Sequence, residues 1–165
     1  MKSQIVIGGG SWGMAIAAAL STTNQDVGLL VRNQETVKLL AKGKCRQLPD
    51  QRAVAPLFAT IDPACLRTAN LIYVVVPAGA TLETLSVVKD MANREAGVVF
   101  AAKGLVDDNF SGGRLLPEIA SANLPHHKSG ILSGLSFADE VLSGLPAALT
   151  IAAESKTLVR GVQQR

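Results

Sequence analysis

Apolar residues in this chain fall in short unbroken blocks, and the stretches between them carry helical spacing or turn residues. The blocks at 4–7, 27–31, 71–76, 98–101, 129–132 and 149–152 are short and apolar along nearly their whole length. Such blocks read as strands of a parallel sheet covered on both faces. Phe58-Ala59-Thr60 reads as a further short strand. Between them, 12–21, 34–41, 80–92, 115–122 and 137–142 predict helices, and 155–164 is an amphipathic tail with helical spacing. Asp62-Pro63 opens another short helix, with Asp62 as its cap and proline at the first helical position. Asn24-Gln25-Asp26 is turn-like, and residues 45–56, polar with two prolines, read as a loop. Strands that alternate with helices predict an α/β fold: a doubly wound, mostly parallel sheet with helices on both faces. With no internal repeat, low-complexity tract or linker, a single domain over 1–165 is expected.

The first strand-to-helix junction carries the clearest chemistry. Gly8-Gly9-Gly10-Ser11-Trp12-Gly13 fits G-x-G-x-x-G through Gly8, Gly10 and Gly13, with a strand before it and a helix after it. The first glycine permits the tight turn, the second lets a pyrophosphate approach the backbone, and the third lets helix and strand pack closely. The helix start then directs free N–H groups and a positive dipole end at the phosphates. This is the pattern of a Rossmann-type dinucleotide site. A glycine-rich turn in another α/β protein and an S-adenosylmethionine site remain alternatives, whereas the lack of a following Gly-Lys-Ser/Thr argues against a Walker loop.

Composition narrows the class. At 165 residues, 48% apolar and 18% charged, the chain can bury a real core. A formal charge of +3, without any Lys/Arg block interleaved with aromatics, gives no footprint for nucleic acid. Cys45 and Cys65 lack metal or redox spacing and read as free thiols. No apolar run reaches the roughly 18 residues of a membrane span, and no signal peptide is evident, so a cytoplasmic location is expected.

Several residues stand at strand carboxyl ends, where ligands of such sheets bind. Arg32 follows the second strand, where an NAD site would place an acid on the adenosine ribose. A guanidinium there can grip a 2′-phosphate, which predicts a preference for NADPH over NADH; the plain alternative is a solvated arginine. Trp12 either packs beneath the helix start or lines the cofactor pocket. Pro77 ends the fourth strand. Lys103, just past the apolar 98–101 block, could hold a substrate anion or polarise a carbonyl near the nicotinamide end, or could snorkel to water. In Ser133-Gly134-Leu135-Ser136-Phe137-Ala138-Asp139-Glu140, backbone N–H groups and the Ser136 hydroxyl could bind a second anion, or Ser136 could cap a helix with Asp139 as its capping-box partner. His126 and His127 read as surface residues, and no metal site is expected.

Together these blocks resemble bacterial NAD(P)-dependent glycerol-3-phosphate dehydrogenases. Residues 8–15 resemble that family's Gly-Ala-Gly-Ser-Trp-Gly-Thr-Ala start. Val31-Arg32-Asn33 is similar to its Trp-x-Arg-Asp, Val74-Val75-Val76-Pro77-Ala78 to its Val-Pro-Ser strand end, and Lys103-Gly104-Leu105 to its Lys-Gly-Leu. The 133–141 block resembles Ser-Gly-Pro-Ser-Phe-Ala-x-Glu-Val and is the most specific of these. A ketopantoate-reductase-like enzyme with the same sheet fits this last block poorly.

The resemblance implies hydride transfer from NADPH, or NADH, to dihydroxyacetone phosphate, giving sn-glycerol 3-phosphate for phospholipid synthesis. By matched position, Gly8, Gly10, Ser11, Trp12, Gly13, Arg32, Pro77 and Ala138 would meet the cofactor. Lys103 would meet cofactor and substrate, and Gly134 and Ser136 the substrate. Departures are Leu135, where the family has proline, and Gln47, where its Arg-Tyr-Leu-Pro has tyrosine. Family members also carry a helical C-terminal domain with the lysine that gives and takes the proton, and a homodimer of the full-length protein is compatible with the resemblance. These 165 residues are therefore expected to be the cofactor-binding half, binding nucleotide with little or no turnover alone. The alternative is a non-catalytic NADP-binding or regulatory module derived from the same family.

Overall fold

The computed structural model describes residues 3–23, 26–107, 112–134 and 136–164. In chain order the elements are β1 (Gln4–Ile7), α1 (Ser11–Thr22), β2 (Val27–Leu30), α2 (Gln34–Leu40), β3 (Ala59–Thr60), a 3-10 turn (Pro63–Thr68) and β4 (Leu71–Val74). A second 3-10 turn (Ala78–Ala80) leads into α3 (Thr81–Met91), followed by β5 (Gly97–Phe100), α4 (Leu116–Asn123), β6 (Ser129–Ser133), α5 (Ala138–Leu142), β7 (Thr150–Ala153) and α6 (Lys156–Gln163). The strands form one sheet in the order β3-β2-β1-β4-β5-β6-β7. Neighbours run parallel except β6 and β7, which are antiparallel. This is the doubly wound, Rossmann-type arrangement expected from the alternation of blocks.

Why the strands are apolar on both faces follows from their packing. Along β1, β4 and β5 successive side chains point to opposite faces. Ile5, Ile7, Ile72, Val74, Val98 and Phe100 join Leu85, Val88 and Ile119 of α3 and α4 on one side. Val6, Leu71, Tyr73 and Val99 join Met14, Ile16, Ala17 and Leu20 of α1 on the other. The alanine run of α1 lets it lie close to the sheet, where Ala15 and Ala17 are fully buried. At β5 the missing side chain of Gly97 makes room for Leu158, which docks α6: a Cβ there would lie 2.5 Å from Leu158 Cδ1.

Local differences from the sequence reading have local causes. β4 stops at Val74 although the apolar block continues to Val76. Val75 still donates to the Ile7 carbonyl at 2.9 Å, but Pro77 has no N–H to extend the ladder. The segment capped by Asp62, whose Oδ1 accepts from Ala64 N at 2.9 Å, is a 3-10 turn. At α5 the capping expectation is corrected. Phe137, extended at φ −105° and ψ 146°, takes the cap position, so Ser136 lies outside the helix and Glu140, not Asp139, reaches back to Phe137 N, at 3.4 Å. Asn24 and Gln25 of the expected turn lie outside the described residues.

Candidate nucleotide site

The three motif glycines meet three different constraints. Gly8 has φ +127°, and a Cβ on it would collide with the Val75 carbonyl oxygen. A Cβ on Gly13 would collide with the Gly8 carbonyl oxygen. Gly10 is the reverse case: nothing lies within 4 Å of where its Cβ would stand. Gly8 and Gly13 therefore hold the turn against β4 and α1 against the turn, while Gly10 keeps one side open. Gly8 N donates to the Leu30 carbonyl at 3.0 Å, fixing the turn to β2 as well.

That open side carries the donors. Within the described residues the N–H groups of Gly10, Ser11, Trp12 and Gly13 have no acceptor, and the first intrahelical bond is Met14 N to Gly10 O at 2.9 Å. No side chain caps α1 and no acidic residue stands in its first turn. Orphan donors and an uncompensated positive dipole end suit a phosphate.

In front of the turn lies a cleft of about 570 Å³. Gly8, Gly9, Gly10, Arg32, Asn33 and Pro77 line one part of it. The exposed Arg32 follows β2 with no ion-pair partner among the described residues. Asn33 caps α2, its Oδ1 accepting from Thr36 N and Thr36 Oγ1, each at 2.9 Å. Gln47 also lines the cleft, on a loop held to α2 by the Arg46–Glu35 ion pair. The orphan donors, the room a Cβ would fill and the single cation fit a dinucleotide phosphate.

The remaining predicted residues lie elsewhere. Gly13 is buried beneath the turn. Ser11 and Trp12 open α1, but Trp12 lines a separate apolar cavity of about 540 Å³ toward α5 and β7. Lys103 is exposed beyond β5, and Gly134 follows β6. Phe100 is in register with Ile131, so Lys103 and Gly134 follow neighbouring strands of the sheet. Ala138 begins α5, which packs on α1. The Ser136 hydroxyl is buried without a hydrogen-bond partner among the described residues. Lys103, Gly134, Ser136 and Ala138 thus continue along the same sheet edge, outside the glycine cleft. Leu135 lies outside the described residues.

Sequence reasoning did not single out Ile61, Glu83, Thr84 or Val87, all of which line the cleft. The signal available was their place, just after β3 and in the first turns of the helix after β4. Burial, followed by the charge of Asp62, pushes the Cys65 thiol up to about 11, so it is protonated at neutral pH and a poor nucleophile. Among the described residues no group of three or more His, Cys, Asp or Glu could hold a metal ion. No described helix is long and apolar enough to cross a membrane.

Comparison with known proteins agrees with this geometry. Glycerol-3-phosphate dehydrogenase (NAD(P)+) of Mesorhizobium japonicum is 36% identical over 162 residues, 97% of this chain and 46% of the relative. The chain thus spans about half the length of the curated relatives it matches. The crystal structure of glycerol-3-phosphate dehydrogenase from Coxiella burnetii superposes with a TM-score of 0.87 at 29% identity, over 99% of this chain and 50% of that one. The Plasmodium falciparum glycerol-3-phosphate dehydrogenase shares the fold, with a TM-score of 0.82 at 20% identity over 99% of this chain and 48% of that one. The family profile for the NAD-dependent glycerol-3-phosphate dehydrogenase N-terminus matches residues 4–159, and the chain belongs to that family.

Proposed function

We propose that this chain binds NADPH across the glycine turn, and that it forms the cofactor half of an enzyme reducing dihydroxyacetone phosphate to sn-glycerol 3-phosphate. The observation that carries the reading is the pairing of four acceptor-free N–H groups with the open face of Gly10. In this reading residues 10–13 hold the pyrophosphate, and Arg32 holds the adenosine 2′-phosphate by charge-assisted hydrogen bonds. Lys103, Gly134 and Ser136, along the edge at β5 and β6, are the proposed substrate contacts. Lys103 would supply positive charge to a substrate phosphate or to the oxygen that becomes anionic. When bound, NADPH supplies a hydride. The chain's own work is to hold the nucleotide and to orient the carbonyl group.

The test is calorimetric titration with NADPH and NADH. NADPH is expected to bind at least about tenfold more tightly, the effect of one or two hydrogen bonds to a charged group. Arg32→Asp is expected to reverse that order. No binding of either nucleotide at about 1 mM, the upper end of ordinary working concentrations, would overturn the reading; an unchanged ratio in Arg32→Asp would remove the 2′-phosphate assignment.

A further inference from the structure

The cleft has a second wall. From α3 and the turn before it, Ala80, Glu83, Thr84 and Val87 all line the cavity. They stand at i, i+3, i+4 and i+7, one face of the helix. Ile61 and Pro63, after β3, add apolar surface on the same side. The ends of β1 and β2, with the glycine turn and Arg32, line the rest of the cleft. A largely apolar helix face and a cationic strand end lining one cleft make a slot suited to a flat base beside its phosphorylated ribose.

Glu83 does not fit an anion site by charge. It and Arg32 are the two charged residues lining the cleft among the described residues. The Glu83 carboxylate is exposed and has no ion pair or hydrogen bond among the described residues. Its place in the first turn of α3 suits the helix dipole. That accounts for an acid at this position but not for one facing into a phosphate cleft. A carboxylate accepts hydrogen bonds and donates none. On the adenosine side of a dinucleotide, the base offers one donor group, the exocyclic amine of adenine. The neighbouring polar side chains are neutral and already make local bonds. Thr84 Oγ1 donates to the Ala80 carbonyl at 2.7 Å, and Asn33 Oδ1 is occupied by Thr36. Glu83 is the charged acceptor on that wall, and among the described residues nothing occupies it.

We infer that Glu83 is a specificity-determining residue that accepts a hydrogen bond from the adenine 6-amino group, so that the cleft selects adenine over 6-oxopurine dinucleotides. This rests on the nucleotide reading of the same cleft. The test compares NADPH with its hypoxanthine analogue, in which a keto oxygen replaces the amine, by calorimetry on wild type, Glu83→Gln and Glu83→Ala. Melting temperatures verify that each variant is folded. Wild type is expected to favour NADPH by about tenfold or more, because a carboxylate facing a keto oxygen is left without a donor. Glu83→Gln can present its amide N–H to the keto group, so the ratio is expected to fall to about threefold or less. Glu83→Ala is expected to bind both nucleotides about equally, with NADPH weakened more than its analogue. Equal binding of the two by wild type, or a ratio preserved in folded Glu83→Gln and Glu83→Ala, overturns the inference while NADPH binding itself stands. Failure of wild type to bind either nucleotide overturns the nucleotide reading beneath it.

Discussion

The glycine turn makes a paired prediction in which folding and binding separate. Gly10 has φ −80° and ψ −177°, a conformation open to any residue, and its Cβ would meet nothing within 4 Å. Gly10→Ala is therefore expected to change stability by no more than about 0.5 kcal/mol, the range of substitutions that disturb no packing. The added methyl instead fills the open face, where the pyrophosphate must approach the backbone. NADPH affinity is expected to fall at least about tenfold, or about 1.4 kcal/mol. Gly13 behaves in the opposite way. Its Cβ would lie 3.0 Å from the Gly8 carbonyl carbon and closer still to the oxygen. Neither backbone can yield without moving α1 off the turn. Overpacking against backbone lies at the upper end of the usual range, about 2–3 kcal/mol, partly offset by about 1 kcal/mol from replacing a helical glycine. A net loss of about 1–2 kcal/mol corresponds to a drop of about 2–8 °C in melting temperature for a domain of this size. Scanning calorimetry measures the stability of both variants and isothermal titration their affinity. A Gly10→Ala chain that binds NADPH like wild type, or a Gly13→Ala chain that melts like wild type, refutes the assignment of roles within the turn.

Two further predictions concern residues outside the cleft. Thr81 is fully buried at the start of α3, and its hydroxyl has no hydrogen-bond partner among the described residues. Thr81→Val keeps the shape and removes the unsatisfied group, so urea denaturation should show a gain of about 1 kcal/mol, and a loss would mean that the hydroxyl is satisfied. Burial and Asp62 together push the Cys65 thiol up to about 11 from an ordinary value of 9.0. Its folded pKa is raised, so the contribution is intact below about pH 9 and is lost as pH rises through about 11. Stability should fall over that window in wild type and fall less in Cys65→Ala; parallel pH curves for the two would refute the assignment.

Much of this was legible along the chain because parallel strands buried on both faces leave a simple mark. Ile5, Ile7, Ile72 and Val74 fill one face and Val6, Leu71 and Tyr73 the other, so the apolar blocks run unbroken. The glycine spacing was legible because each position answers a local steric demand. The wall formed by Glu83, Thr84 and Val87 was not. Its spacing marks a helix face, but whether that face meets solvent or the cleft depends on β4 lying beside β1 with α3 on the side opposite α1. Trp12 was ambiguous for a similar reason, since the packing of α5 on α1 decides that it turns away from the glycine cleft. Ser136 misled because the helix starts one residue later than its capping signature suggests.

The turn at Gly8 is gripped from two sides, by Leu30 through a hydrogen bond and by the close passage of Val75. Val75 lies far along the chain, so a partly assembled molecule with β1 and β2 but no docked β4 has no phosphate cradle. A dinucleotide consequently cannot guide early assembly. It recognises only chains whose central strands have already joined, and its influence appears as slower and rarer opening, about 2.7 kcal/mol at a hundredfold excess over Kd.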